Sequence, residues 1–480
     1  MSDYSRVLKL AEGTGSGGLI ERLDATTVHV SWDGPAIDDL MGTVQVLVEN
    51  VRKLPVRITV DATSDPGILA ALTEATSGIN PTRPLGVEAV ASGDLHVHVG
   101  RHVPPTARAS AIPDGHGVHL RPAGAPVPAV VSPPTGLGSV LTASVLTAEV
   151  FKAAVLMNRH PAAITRPWDF DPVSLGPMSQ EVPALPPLDS TTLLGCGAIG
   201  TAVARILGML GASGSLTVVD PEPFDYPNLM TYSLGDIGSA SRGERKTALV
   251  RAALATASVT TWAGDARSYL QEIDAGRLPA PRLLLNGLDS ITARHDSNRI
   301  RSDVTIDAST GGAVGTTIGL AKAFHHGPCL RCYYPHAQAP LPSLADVTGL
   351  PVHLLADGDH VITEADIELA RPEVQDALRE HAGSRICALS MLLGVVPDAG
   401  AYRPSAAFVA QQAAALAVGA LIRTMTGAEG PDGYEIEYDA LFGWKPGALM
   451  ERRPSATCEC QTQVELVRKV RSLRYGDRDG

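Results

Sequence analysis

Two groups of residues in this 480-residue chain have types and spacings that can do chemistry. The first lies in LLGCGAIGTAVARILGMLGASGSLTVVD, Leu193 to Asp220, where Gly195, Gly197 and Gly200 form G-x-G-x-x-G between a strand-like stretch and an apolar-periodic helix. Glycines so placed permit a tight turn, a close approach of phosphate to backbone, and close helix packing. The free N–H groups at the helix start then face the anion. Asp220 ends the next strand-like run, where a carboxylate accepts from ribose hydroxyls. The motif marks a nucleotide site and does not choose between NAD and ATP. The second group is of cysteines: Cys329 and Cys332 in C-x-x-C, Cys458 and Cys460 in C-x-C. Four thiolates suit a structural, tetrahedral zinc.

The residues after Asp220 narrow the choice. Asn228-Leu229 follows a short loop, and Lys246 opens a predicted helix. GLDSITARHDSNRI carries Asp289, Arg294 and Asn298 from a strand end into a helix, with Arg294 and Asn298 at i and i+4 on one face. TIDASTGGAVG and PCLRCYYP come next. This order resembles the ThiF and MoeB family of adenylating enzymes, which includes the ubiquitin-activating enzymes, over roughly residues 188–465. The resemblance implies ATP, and an α/β fold with a Rossmann-like, mostly parallel sheet. It implies activation of a terminal carboxylate on a ubiquitin-like or sulfur-carrier protein or a peptide. Pyrophosphate leaves, and the acyl group passes to a thiol, sulfur donor or amine. Asp220 would hold the ribose, Asn228 and Lys246 the phosphates, and Asp289 Mg2+. Arg294 and Asn298 would brace the fold or the metal loop from behind. The family also places two cysteine pairs where Cys329, Cys332, Cys458 and Cys460 stand, which implies Zn2+. Lys246, Asp289 and Cys387 are then the catalytic candidates. Cys387 reads two ways, as a buried free thiol or as the nucleophile that takes the acyl group in some relatives; Arg385 nearby would favour its thiolate.

Departures from the family pattern bear on catalysis. The arginine usual after Asn-Leu is Thr231 here, in NLMTY, and the second cysteine pair is C-x-C rather than C-x-x-C. Arg242, Arg245 or an arginine of the N-terminal half would have to supply the missing charge. Cys196, inside the glycine turn, reads as a small packing residue. Two alternatives stay open. An NAD-dependent oxidoreductase explains the glycine turn and Asp220 but not Lys246, Asp289 and the cysteine pairs. A nucleotide-binding scaffold with impaired catalysis would explain Thr231.

These residues need elements to position them. All six cysteines lie beyond residue 190, and the proline-rich run MSQEVPALPPLDST, Met178 to Thr191, reads as a linker. The expected division is an N-terminal α/β domain, residues 1–185, and an adenylation domain, residues 186–480. In the N-terminal part, Val56–Ala62 and Asp94–Gly100 alternate like strands, and DPGILAALTEATSG between them reads as an Asp-capped helix with a Gly stop. Gly136–His160 and Ser405–Arg423 read as long buried helices of similar composition. Their likeness suggests that residues 1–185 are a degenerate adenylation-like half acting as an internal second subunit; an unrelated substrate-recognition domain is the rival, and a homodimer the other expected assembly. Leu283–Asn286 and Val304–Asp307 read as strand ends, and residues 336–385 as a long excursion.

The bulk numbers exclude some classes. A net charge of −12 argues against a broad nucleic-acid surface. Gln411 and Gln412 in the most apolar run favour a buried helix over a membrane span. The opening MSDYSRVLKL lacks a signal-peptide core, and six cysteines in so long a chain are not a disulfide framework; both fit a cytoplasmic protein.

Overall fold

The computed structural model describes residues 23–34, 37–61, 65–91, 93–154, 164, 166–179, 181–311, 315–322, 327–335, 344–356, 360–384, 406–427, 433–443 and 449–476. The chain forms two compact units. One comprises residues 1–4, 18–335 and 406–480; the other comprises 5–17 and 336–405 and contains the excursion.

The larger unit holds two sheets. The first contains β1 (Thr27–Trp32), β2 (Arg57–Val60), β3 (Gly86–Val87), β4 (Leu95–Val99), β5 (Ala109–Asp114), β6 (Gly117–Pro122) and β7 (Trp168–Phe170) in the order β3-β2-β1-β4-β5-β6-β7. The second contains β8 (Thr191–Leu194), β9 (Ser215–Val219), β10 (Ser258–Trp262), β11 (Leu283–Asn286), β12 (Val304–Gly311), β13 (Gly315–Lys322), β14 (Gly433–Asp439) and β15 (Leu449–Glu451) in the order β10-β9-β8-β11-β12-β13-β14-β15. Apart from the extra β15 the two orders are the same. Each sheet is parallel through its fifth listed strand, β5 or β12, and antiparallel beyond it. β1 and β8 are the points from which the chain winds in opposite directions, where open α/β sheets bind ligands.

The helices repeat the match. α1 (Ile37–Arg52) follows β1, and α2 (Pro66–Ser77) follows β2. α3 (Gly136–Ala154) lies between β6 and β7 in the chain. In the second half, α4 (Ala198–Met209) follows β8, α5 (Lys246–Ala253) precedes β10, α6 (Ala266–Asp274) precedes β11, and α7 (Ile291–Asn298) precedes β12. α8 (Ala407–Met425) falls between β13 and β14, the counterpart of α3, and α9 (Val464–Tyr475) ends the described chain. Sequence chemistry sets these bounds. Asp65 caps α2 by accepting from Gly67 N at 2.7 Å, and Gly78 follows its last residue. β11 has the predicted bounds, and β12 runs on past Asp307 to Gly311. α3 is described to Ala154; its predicted continuation to His160 lies outside the described residues.

α3 and α8 have the length and apolar character of membrane spans, and both are buried within the protein. They pack on each other, with Phe151 and Phe408 ring centres 5.3 Å apart, and α3 also packs on α1. The glutamines that mark α8 as a core helix have specific partners. Gln411 Nε2 donates to Asn50 Oδ1 at 2.8 Å and to Ser233 Oγ at 3.2 Å, and Asn50 Nδ2 donates back to Gln411 Oε1 at 2.5 Å.

The smaller unit, described by itself, has short helices Leu344–Thr348, Val352–Ala356, Glu364–Leu369 and Gln375–Arg379 around Leu350, Leu355, Ile362, Ile367 and Leu378.

The buried amide pair gives a test. Gln411→Ala leaves the Asn50 amide without its partner, and urea unfolding should show a loss of about 3 kcal/mol. The double change Asn50→Leu with Gln411→Leu should recover part of it; a single change costing under about 0.5 kcal/mol would show that the pair does not hold α1 to α8.

Candidate active site

The glycine turn joins β8 to α4. Gly195 has φ +86°, and a Cβ there would stand 2.9 Å from the Gly287 carbonyl oxygen. A Cβ on Gly200 would come within 1.9 Å of the Gly195 carbonyl oxygen, so both positions require glycine. Gly197 is the N-cap of α4, makes no side-chain cap, and the first turn carries no acid. The N–H groups there are free for an anion. Asp220, 7 % exposed, ends beside the turn and accepts from Cys196 N at 2.7 Å and Glu222 N at 2.9 Å. Burial raises its pKa, and those N–H groups and Lys246 only partly offset it. Burial also holds the Cys196 thiol well above its ordinary pKa, in keeping with a packing role.

Lys246, 3 % exposed, opens α5 on the far side of the turn. Its Nζ donates to Glu222 Oε2 at 2.5 Å and to the Tyr232 hydroxyl at 3.1 Å, and stands 5.1 Å above the Tyr232 ring centre. Burial works against its charge, yet Tyr232, Glu222 and Asp220 together keep its pKa above the usual lysine value. Glu222 itself is two-thirds exposed, so the lysine's carboxylate partner is open to exchange for another anion. Asn228 is buried at the end of a short helical turn, and its Oδ1 accepts from Asp225 N at 3.0 Å. Thr231 is fully buried. Neither arginine named as its substitute is committed to this crevice: Arg242 pairs with Glu244 at 3.1 Å, and Arg245 donates to the Pro221 carbonyl at 2.6 Å.

A cation does arrive from the N-terminal half. Lys53, just past the end of α1, is 3 % exposed and donates to the Tyr232 carbonyl at 2.7 Å. Burial pulls its pKa down to about 8 against the attraction of Glu49. Glu49 on α1 in turn pairs with Arg205 on α4, which also donates to the Ser233 carbonyl at 3.2 Å. The end of α1 thus holds the segment that carries Thr231 and Tyr232. Lys53 and Tyr232 escaped the sequence reading: Lys53 has no local motif, whereas Tyr232 stands beside the conspicuous Thr231.

The matching crevice of the first sheet is closed. Asp33 follows β1 as Gly195 follows β8, and Gly100 follows β4 as Gly287 follows β11. The Asp33 carboxylate fills this space: a Cβ on Gly100 would lie 2.4 Å from its Cγ. It accepts from Arg101 N at 2.5 Å and from His102 N at 3.3 Å, and faces His98 Nε2 at 3.1 Å. Asp38 and Asp39 occupy the first turn of α1. Carboxylates in those places repel a phosphate that a bare helix start would attract.

Asp289 lies exposed after β11, on the loop into α7. Arg294 and Asn298 do not face it as a pair. Arg294 Nε donates to both oxygens of Asp307 at 3.0 Å, and its Nη2 reaches the Leu288 carbonyl at 2.5 Å. Asp307, 1 % exposed, also accepts from the Tyr334 hydroxyl at 2.8 Å. Arg294 therefore fixes the residue before Asp289 from below. Asn298 Oδ1 accepts from Leu330 N at 3.0 Å and so steadies the first cysteine pair. Asp307 was legible only as a strand residue; its burial against Arg294 gives it weight.

The four cysteines come together. Sγ separations are 4.0 Å for Cys329–Cys332, 3.6 Å for Cys329–Cys458 and 3.5 Å for Cys332–Cys460, and all four sulfurs lie within 4.8 Å of one another. Tetrahedral zinc with Zn–S of about 2.3 Å needs sulfurs about 3.8 Å apart. Ser455 N points at Cys332 Sγ from 3.4 Å, a backbone donor suited to a metal-bound thiolate. The donor set fits zinc, and the C-x-C pair spans its share of the site. Cys387 lies outside the described residues.

This chain belongs to the ThiF family, whose model matches residues 189–460. The motifs that resemble the adenylating enzymes, from the glycine turn to Cys460, fall within the matched residues. Among solved structures it is similar to E. coli MccB with MccA-N7isoASN: identity is 17%, TM-score 0.36, and the match covers 56% of this chain and 66% of that one. E. coli MccB with ATP is similar at 17% identity and TM-score 0.35, covering 57% and 66%. The microcin C7 biosynthetic enzyme MccB in complex with N-formylated MccA is similar at 16% and 0.37, covering 57% and 67%. The chain thus spans just under two thirds of the first MccB chain. No curated protein matches it.

Two outcomes are expected. With the Lys53 pKa near 8 in the folded state and about 10.4 unfolded, the unfolded chain holds the extra proton between those values. Wild-type stability relative to Lys53→Met should rise from pH 8 toward pH 10 in urea titrations; a flat difference would show that Lys53 is not held in a low-dielectric site. Elemental analysis should find about one zinc per chain, and Cys458→Ser should lose it and lower the melting temperature. A stable zinc-free protein from zinc-supplemented medium would count against the site.

Proposed function

We propose that residues 186–480 form an ATP-dependent adenylation domain acting on a terminal carboxylate of a ubiquitin-like or sulfur-carrier protein or a peptide. Residues 1–185 serve as a degenerate adenylation-like half that stands as a second subunit in cis. The observation that carries this reading is the contrast between the two switch points. One has a bare glycine turn with Lys246 buried beside it. The other, on the same strand order, is filled by Asp33.

In this reading the turn N–H groups and Lys246 receive the phosphates of ATP, and Asp220 receives the ribose. Glu222 gives up Lys246 to the incoming nucleotide. Two anions, carboxylate and phosphate, must then meet, so cations and oriented donors carry the catalysis. The substrate carboxylate attacks the α-phosphorus in line, and the bond to pyrophosphate breaks. Lys246 balances the added charge on the equatorial oxygens, and Asn228 steadies the loop beside them. Asp289 is an exposed carboxylate of the hard-oxygen kind that Mg2+ prefers, and the ion would neutralise the departing pyrophosphate. Lys53, through the Tyr232 carbonyl, positions the tyrosine that bonds Lys246. Cys329, Cys332, Cys458 and Cys460 would hold zinc, which would tie the tail of the chain to the segment that Asn298 of α7 steadies and take no part in the chemistry. A thiol, sulfur donor or amine then attacks the acyl carbon of the adenylate, taking the acyl group as the bond to phosphate breaks and AMP leaves, with Cys387 a candidate thiol.

Thr231 favours a second reading, a nucleotide-binding scaffold with impaired catalysis, because a neutral buried side chain stands where the family carries an arginine. Thermal shift and nucleotide turnover separate the readings. Mg·ATP should raise the melting temperature of the zinc-loaded chain, and Asp289→Ala should abolish most of that rise. Lys246→Ala should lower substrate-dependent ATP–pyrophosphate exchange at least about a hundredfold. Stabilisation by NAD alone would overturn the adenylation reading; Mg·ATP binding without exchange would leave the scaffold.

A further inference from the structure

A second feature lies on the wall between the two sheets of the larger unit. A cavity of about 290 Å³ is enclosed by α3, the start of β7 and the end of β14. Most of its lining is apolar, with Val145, Trp168, Tyr438 and Phe442 prominent. Phe442 is 44% exposed and forms part of the rim. On α3, Glu149 and Lys152 pair with each other deep in the wall, both almost fully buried. Lys152 Nζ lies 5.1 Å from the Phe442 ring centre. Such a volume, apolar with a few converging polar groups, is what a binding pocket looks like.

Its charge is unbalanced. Glu149 faces Lys152, and also Arg108 Nε at 3.8 Å and Ile164 N at 3.2 Å. Arg108 Nε and Nη2 are buried without a hydrogen-bond partner among the described residues. Arg166 stands exposed in the lining. Lys152 and Arg166 line the cavity against the one carboxylate of Glu149, and Arg108 stands behind Glu149, which leaves a positive spot on a chain of net charge −12. An occupant with an acidic group beside a large apolar one is complementary to it.

The sheet fixes how far this pocket is from the end of β11, the strand that leads to Asp289. Asn286 pairs with Asp307, Gly311 with Gly315, and Gly315 with Asp439, just before the cavity wall. The cavity therefore lies three strand spacings to the side of the β11 end and four residues further along. At about 4.8 Å per strand and 3.3 Å per residue, the span is roughly 19 Å, which an extended peptide crosses in five or six residues.

We infer that this cavity is a specificity pocket that takes a large apolar side chain, with an acidic neighbour, about five or six residues before the carboxylate to be activated. The inference rests on the adenylation reading and names the kind of tail it accepts.

The test uses the full zinc-loaded chain with Mg2+ and a non-hydrolysable ATP analogue. The probes are fluorescein-labelled Gly/Ser peptides of nine residues with a free carboxyl end. A Trp-Glu pair is moved so that Trp stands from two to seven residues before the last residue. Anisotropy should show binding that peaks at least tenfold with Trp at five or six. Ala148→Leu and Ala440→Leu, which fill the cavity from opposite walls, should each remove the peak while keeping the Mg·ATP thermal shift; either one that folds suffices. A flat profile, a peak that both fillings leave intact, or no binding up to 1 mM with the thermal shift present would overturn the pocket alone. A wild type that Mg·ATP does not stabilise would overturn the adenylation reading beneath it.

Discussion

The approach of the Gly200 Cα to the Gly195 carbonyl, too close for any side chain, is the contact on which the second half's site depends. It brings α4 so near the end of β8 that the first N–H groups of the helix meet whatever lies beyond the strand. Asp220 on one side and Lys246 on the other then line a crevice with a buried carboxylate and a buried ammonium. Among the described residues the same backbone plan in the first half carries no such contact. There a carboxylate takes up the donors that a phosphate would use. Identical topology thus supports opposite electrostatics, decided by a few residues after β1 and β8.

The end of α1 links the halves. Glu49, Asn50 and Lys53 reach Arg205, Gln411 and the Tyr232 carbonyl. These contacts lie in a buried setting where each partner is needed to satisfy the other. They hold the segment after Asn228, where the missing arginine would otherwise have stood. The first half, whose own crevice holds the Asp33 carboxylate, in this way shapes the crevice of the second.

Much of this plan was legible in the chain. The glycine turn, Asp220, the cysteine pairs and the strand Leu283–Asn286 carry local patterns with strong steric or chemical causes: the turn joins β8 to α4, Asp220 bonds its backbone, the four sulfurs meet, and β11 spans Leu283–Asn286. The bounds of α2 followed from Asp65 and Gly78, whereas α8 runs Ala407–Met425, shifted by two residues from its apolar period. The likeness of Gly136–His160 and Ser405–Arg423 pointed toward two similar halves, though composition alone could not reveal the strand order. What stayed hidden depends on long-range packing. Lys53 is an ordinary lysine until α1 is set against Tyr232. Asp307 is one of many strand acids until Arg294 closes on it. Arg294 and Asn298 share a helix face, yet their side chains reach different neighbours, which spacing at i and i+4 does not disclose.

The cysteine cluster has a further consequence. Cys329 and Cys332 lie before the excursion, and Cys458 and Cys460 lie after it. With a metal bound, the stretch from 332 to 458 becomes a closed ring hanging from one knot. A cut anywhere in that ring would leave two fragments still joined at the sulfurs. The excursion could thus lengthen, shorten or be nicked over evolutionary or cellular time while the knot kept the tail of the chain in place.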